Sequence, residues 1–275
     1  MRVPFFPLFL AAASLGTISH GELPKLRPLQ QSTISAQRVV KLGPGHFFVD
    51  FGRDAFGYLT LDLPGVQAGT PPVEVHLGEM ARGDSVERNP GGSISYGQSR
   101  AELKLGQSHF RIQTPPVQRN THDPAIPLPA GIGVVIPFRY AELVNCPVDL
   151  DKSRVHQVAV HYPFDDNASK FLCSDPSLNQ VWELCKYSIK ATSFAGIYVD
   201  GDRERTPYEA DAYINQLCHY CVDREFALAR HTQEYLLAHP TWPTEWKFHS
   251  IFMAWAEWMF TGDTTFLAAN YDRLK

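Results

Sequence analysis

Cysteine is scarce in this sequence. The five residues Cys146, Cys173, Cys185, Cys218 and Cys221 among 275 are too few and too scattered for a disulfide framework, and their odd number leaves one unpaired within the chain. Cys218-His219-Tyr220-Cys221 has the spacing of a redox or zinc motif, but it falls inside a helical pattern with no second ligand pair, so apolar packing is expected of it. An excess of positive charge is also lacking. With a net charge of -4 and no basic stripe, nucleic acid is excluded as a partner. The eleven histidines include no pair at zinc spacing, and the chain has no Gly-rich phosphate loop, no Gly-x-Ser-x-Gly elbow and no dinucleotide fingerprint. No metal site is therefore assigned, although acidic turns leave calcium open without selecting ligands. No apolar run reaches the roughly 20 residues of a membrane span. The longest, residues 3–16, follows Met1-Arg2, is broken by Pro4 and Pro7, and ends among small residues. It reads as a cleavable signal peptide over residues 1–21, which predicts a secreted or periplasmic protein with no stable membrane span after cleavage.

What the sequence does contain is enough apolar material, 44% of residues, for one large or two medium cores. From about Gln30 to Tyr162 short apolar stretches alternate with Gly, Pro, Asn and Asp clusters, as in His46-Phe47-Phe48-Val49-Asp50-Phe51 and Val73-Glu74-Val75-His76-Leu77. That is the pattern of an antiparallel β-sandwich, placed at residues 38–164. After Pro163 the period becomes helical. Asp175-Pro176 opens a first helix whose stripe Leu178, Val181, Trp182, Cys185 and Ile189 is expected to face a core. Further helices are expected over about 210–221, 224–238, 245–260 and 264–275, the fourth stopped by Gly262-Asp263. The fold class is thus multidomain, β followed by α, with successive helical hairpins over residues 165–275.

One segment stands apart chemically. Residues 200–211, Asp-Gly-Asp-Arg-Glu-Arg-Thr-Pro-Tyr-Glu-Ala-Asp, hold five carboxylates and two guanidiniums on a connection between helices. Glycoside hydrolysis needs one carboxylic acid to protonate the departing oxygen and a second carboxylate to activate water or attack the sugar. Further carboxylates and arginines then hold the hydroxyls by charge-assisted hydrogen bonds. Such a loop can supply an acid and a clamp; it is equally what a solvated, locally ion-paired turn looks like.

Arg203-Glu204-Arg205, followed by Asp211 seven residues after the Glu, resembles the loop of glycoside hydrolase family 78, the α-L-rhamnosidases. Ser174-Asp175-Pro176 through Glu183 is similar to the helix that opens that family's (α/α)6 barrel. Thr261-Gly262-Asp263, Gly78-Glu79-Met80 and Pro137-Phe138-Arg139-Tyr140 also fit its later helical turn and its preceding β-domain. The resemblance runs from about residue 45 to the end. It implies Glu204 as general acid, Arg203 and Asp211 as sugar ligands, and Tyr208, where the family has Trp, as a platform for the sugar ring. It further implies an inverting reaction that uses no cofactor, on a carbohydrate partner such as an α-L-rhamnoside.

The sequence departs from the family where an Asp normally grips the sugar five or six residues before the acid. Here Asp200 lies four before Glu204 and Asp202 two before, so both are candidates for that role and a sugar other than rhamnose stays open. The family's general base is a Glu on a later part of the barrel, and no residue here takes that job. The chain is therefore expected to be an N-terminal fragment, inactive by itself. Two arginines beside Glu204 would hold its pKa down, so Asp202 or Asp211 is expected within about 6 Å to oppose them. Trp242, Glu245 and Trp246, at a break between helices, are further candidates for touching sugar, whereas Trp255 and Trp258 are expected in the core. The rival to an enzyme is a carbohydrate-binding or pseudo-enzymatic protein on the same scaffold.

Overall fold

The computed structural model describes residues 25–275; the segment expected to be a signal peptide lies outside the described residues. The first part of the chain is β: β1 (Gln30–Ser35), β2 (Arg38–Gly43), β3 (His46–Asp62), β4 (Val73–Gly78), the two-residue pair β5 (Ala81–Arg82) and β6 (Ser85–Val86), β7 (Tyr96–Ala101), β8 (His109–Arg111), the short α1 (Gln118–Thr121), β9 (Ile136–Val144) and β10 (Val155–His161). The helices follow: α2 (Pro176–Thr192), α3 (Glu209–Val222), α4 (Ala227–Ala238), a 3-10 turn (Glu245–Phe248), α5 (His249–Thr261) and α6 (Thr265–Leu274).

The strands form one antiparallel sheet in the order β1-β10-β3-β9-β4-β7, with β2 and β8 also paired to β3. The 17-residue β3 organises it. Its first half pairs with β2 and β9 (Arg38↔Asp50, Phe47↔Leu143), its second with β10, β9 and β8 (Val155↔Leu61, Ala55↔Phe138, Thr60↔Arg111), and the register with β9 shifts between Asp50 and Ala55. Such a bulge bends a strand, so β3 changes direction within the sheet while staying paired to β9 on both sides of it. Alternate residues from both halves, Phe47, Val49, Leu59 and Leu61, enter one core with Val75, Leu77 and Phe138. Gly57 is required where β3 meets β10, because a Cβ there would fall onto the carbonyl of Val158.

The other side of the sheet carries the connection into the helices. Phe56, Tyr58 and Val160 cluster with Phe194, Ile197 and Val199, the residues after α2. Phe56 and Phe194 stack with centroids 3.7 Å apart. Burying a ring of this size stabilises by about 1.5–3 kcal/mol, which pins the chain to the sheet just before the charged loop.

Helix limits follow local chemistry. The Asp175 carboxylate caps α2 by accepting from the Ser177 amide at 2.8 Å, with Pro176 in the first turn. Glu225 accepts from the amides of Ala227 and Leu228, so α4 begins at Ala227 rather than near Arg224. Gly262, with φ 69, ends α5 in the left-handed conformation. The stripe of α2 departs from expectation: Ile189 and Lys186 are buried, but Leu178 and Val181 are more than half exposed, as is Trp255 on α5. Only the C-terminal half of α2 is covered, and no described element packs over the outer face of α5. Cys218 and Cys221 are likewise exposed, and all five thiols are free. Among the described residues no group of three His, Cys, Asp or Glu is arranged to hold a metal, and no helix is long and apolar enough to cross a membrane.

Candidate active site

The charged loop between the Phe194–Val199 anchor and α3 is closed on itself. The Asp200 amide donates to the Thr206 carbonyl at 3.1 Å, and the Thr206 amide donates to Asp200 Oδ1 at 3.2 Å. Between them Arg205 takes a left-handed backbone conformation, φ 53, and is buried. Its guanidinium donates to Asp202 Oδ1 at 2.6 Å and to the Val135 carbonyl at 2.8 Å, over the ring of Phe194. The same Asp202 accepts from Ser95 Oγ at 2.5 Å and from Asn120 Nδ2 at 3.2 Å. Both oxygens of Asp202 are thus occupied by protein donors, which makes this residue the tie between the loop and the β layer.

Beneath the loop lies a cleft of about 1170 Å3 between the sheet and α2. Asp54, Glu79, Asp200, Asp202, Arg203 and Asp211 line it. The Asp200 side chain is 5% exposed and its Oδ2 has no hydrogen-bond partner. Burial, then the charges of Glu204 and Asp211, push its pKa up. Burial also raises Asp211, against the pull of Arg203. Asp54 is pushed up to about 8, by burial first and then by the neighbouring Glu79 carboxyl and the charge of Asp202.

Glu204 faces elsewhere. It accepts from the Tyr208 hydroxyl at 2.8 Å and from Arg119 Nη2 at 3.1 Å, with Arg203 Nε 3.4 Å away. The Tyr208 hydrogen bond and then that of Arg119 hold its pKa below the usual carboxylate value, the charge of Arg203 adding to both. Tyr208 is itself pushed up to about 12, by burial first and then by Glu204, and its ring meets that of Trp246 edge-on at 5.6 Å. The loop therefore brings Glu204, Tyr208 and Trp246 together, and separately sets Asp200, Asp202, Arg203 and Asp211 on the cleft. Trp242, 86% exposed, and the exposed Glu245 line neither group. Asp200 is the carboxyl coupled to Glu204, and Arg205 has turned away to hold Asp202.

Residues 166–275 match the family model described as the bacterial alpha-L-rhamnosidase 6 hairpin glycosidase domain. The likeness to that family is carried by this part of the chain, 110 of its 275 residues. Solved structures extend the likeness over the β layer as well. The alpha-L-rhamnosidase of Dictyoglumus thermophilum is 15% identical with a TM-score of 0.67, over 90% of this chain and 28% of its own. That of Streptomyces avermitilis, complexed with L-rhamnose, is 17% identical with a TM-score of 0.65, over 90% and 24%. The Klebsiella oxytoca rhamnosidase with rhamnose bound is 13% identical with a TM-score of 0.62, over 90% and 56%. At these identities the likeness shows the fold, and the chain spans between about a quarter and just over half of those proteins' lengths. No curated protein matches the sequence. The rhamnosidase-family segment holds the loop, Glu204, Asp211 and Trp246, while Asp54, Glu79 and Arg119 come from the β layer before it. The sequence reading gave none of these three a role. Glu79 lay in a stretch noted only for resemblance, and Asp54 and Arg119 gain meaning only from partners distant in the chain.

Proposed function

We propose that the protein is an exported glycoside hydrolase that cleaves terminal α-L-rhamnosyl, or related deoxy-sugar, linkages with inversion. Its two domains are a β-domain, which takes in β1 (Gln30–Ser35) and so begins before the expected residue 38, and a rhamnosidase-type helical domain from residue 165. The observation that carries this is the loop of residues 200–211, lying within the matched family segment with Glu204 bonded to Tyr208 and with Arg203 and Asp211 on a cleft of sugar dimensions. Glu204 is the general acid. Arg203, Asp211 and Asp200 hold hydroxyls, Tyr208 and Trp246 supply an aromatic wall, and Asp202 keeps the loop in place. The contacts of Glu204 favour its ionised form, so entry of a sugar must displace the Tyr208 hydroxyl or Arg119 and remove water before the acid takes up its proton. The base that activates water on the opposite face of the ring is not assigned in this chain.

A second reading, a sugar-binding protein without turnover, is favoured by the same preference of Glu204 for its ionised form. The two are separated by leaving group. A general acid contributes on the order of 10²–10⁴ in rate when the departing oxygen is basic, and much less when it leaves unaided. Glu204→Gln is therefore expected to abolish hydrolysis of methyl α-L-rhamnoside and to spare more of that of nitrophenyl α-L-rhamnoside. Equal losses on both remove the acid role. No turnover on either by the unaltered full-length protein, with L-rhamnose still bound, establishes the binder.

A further inference from the structure

Past Arg53, Glu183 and Tyr187 the cleft continues along α2 into a second cavity of about 590 Å3. The sign of the charge reverses between them. The cleft presents six carboxyl groups and three guanidiniums, whereas the second cavity presents Arg53, Lys170, Lys186 and Lys190 against Asp166 and Glu183. The Asp166 carboxylate is already taken by Lys190 at 2.6 Å. Lys186 is 6% exposed, and its ammonium donates only to the backbone carbonyls of Asp166 and Ser169. Arg53 lies over the ring of Tyr187 at 4.9 Å. Among the described residues none of Arg53, Lys170 and Lys186 has a carboxylate at ion-pair distance. A buried ammonium without a counter-ion is poorly compensated, and an anion in the cavity would supply one.

We propose that this cavity is a subsite for the anionic group, carboxylate or sulfate ester, of an acidic sugar next to the one held in the cleft. The inference rests on the cleft being a sugar site and makes the substrate an acidic oligosaccharide. Arg53 and Tyr187, shared by both cavities, form the passage between the two sugars. The carboxylate loop and the lysine cavity then sort the two rings by charge. The neutral deoxy-sugar lies among hydrogen-bonding carboxyls, and the acidic ring lies where the carboxyls are outnumbered.

Calorimetric titration with four ligands tests this: L-rhamnose, D-glucuronate, a rhamnosyl-glucuronate disaccharide and the methyl ester of that disaccharide. The acid is expected to bind about tenfold more tightly than the ester at low salt, with the ratio falling as salt rises. Lys170→Glu, a change on an exposed residue, is expected to cut the ratio below about threefold in protein whose circular dichroism is unaltered. Equal binding of acid and ester, or a ratio untouched by Lys170→Glu, overturns the subsite. A rhamnosyl disaccharide carrying a sulfate ester in place of the carboxylate distinguishes the two anions by which binds more tightly. If D-glucuronate binds and L-rhamnose does not, the subsite stands and the rhamnoside reading falls; if L-rhamnose binds without preference for the acid, the reverse holds.

Discussion

Arg119 offers a test of how Glu204 is controlled. It belongs to the β layer, on a helix fixed by Asn120, whose side-chain amide donates to the Asp202 carbonyl at 2.9 Å, so its removal leaves the placement of α1 intact. The Arg119 and Glu204 side chains are 58% and 29% exposed, and solvent screens a pair of this kind to about 0.2–1 kcal/mol. The contact favours the charged carboxylate, so Glu204 in the folded protein holds its proton less tightly than an ordinary glutamate. A general acid must be protonated to act, and its pKa sets the alkaline limb of kcat/KM. Arg119→Gln removes a force that favours ionisation, so the limb moves toward higher pH. Above the limb the protonated fraction, and with it kcat/KM, rises by about 1.4- to 5-fold for ~0.2–1 kcal/mol. The assay is the pH profile of kcat/KM on methyl α-L-rhamnoside for the two proteins. A limb that stays in place, or moves toward lower pH, refutes both the pairing and its sign.

Two further predictions concern stability. Asp54 is raised above its unfolded value, so its contribution is fully present below about pH 4 and is lost as pH rises through about 8. Asp54→Asn cannot ionise, so melting curves should show the variant gaining on the parent as pH rises from about 4 to about 8 and no further above that; a variant that loses ground over that range counts against a raised Asp54. Phe194→Ala removes the ring stacked on Phe56 beneath the loop. A loss of about 3–5 kcal/mol is expected from urea unfolding, and a loss under about 1 kcal/mol would mean that the loop is not anchored through this ring.

The fold was legible wherever a residue's fate depends on its near neighbours. Alternation set the strands, Asp175-Pro176 set the start of α2, and Gly262 set the end of α5, because capping and side-chain period are local. It was illegible where burial depends on what lies opposite. Leu178, Val181 and Trp255 have the spacing of core residues, yet each is more than half exposed, since a stripe records only that a helix has an apolar side. The single bent sheet was hidden for a related reason. A bulge between Asp50 and Ala55 carries no strong signal beyond Gly52, and it decides where the strand changes direction.

In the candidate site the sequence marked the loop but not the environment that gives each carboxyl its character. Asp200, Asp202 and Glu204 are alike on paper. Asp200 is raised by burial, Asp202 is consumed by Ser95, Asn120 and Arg205, and Glu204 is lowered by Tyr208 and Arg119. Ser95, Asn120 and Arg119 all lie more than 80 residues upstream, in the β layer. Local composition therefore told which residues are able to do acid chemistry, and long-range contacts decide that Asp200 is raised and Glu204 lowered. It follows that transplanting the loop of residues 200–211 without α1 and its partners would carry the carboxylates across but not their order of protonation.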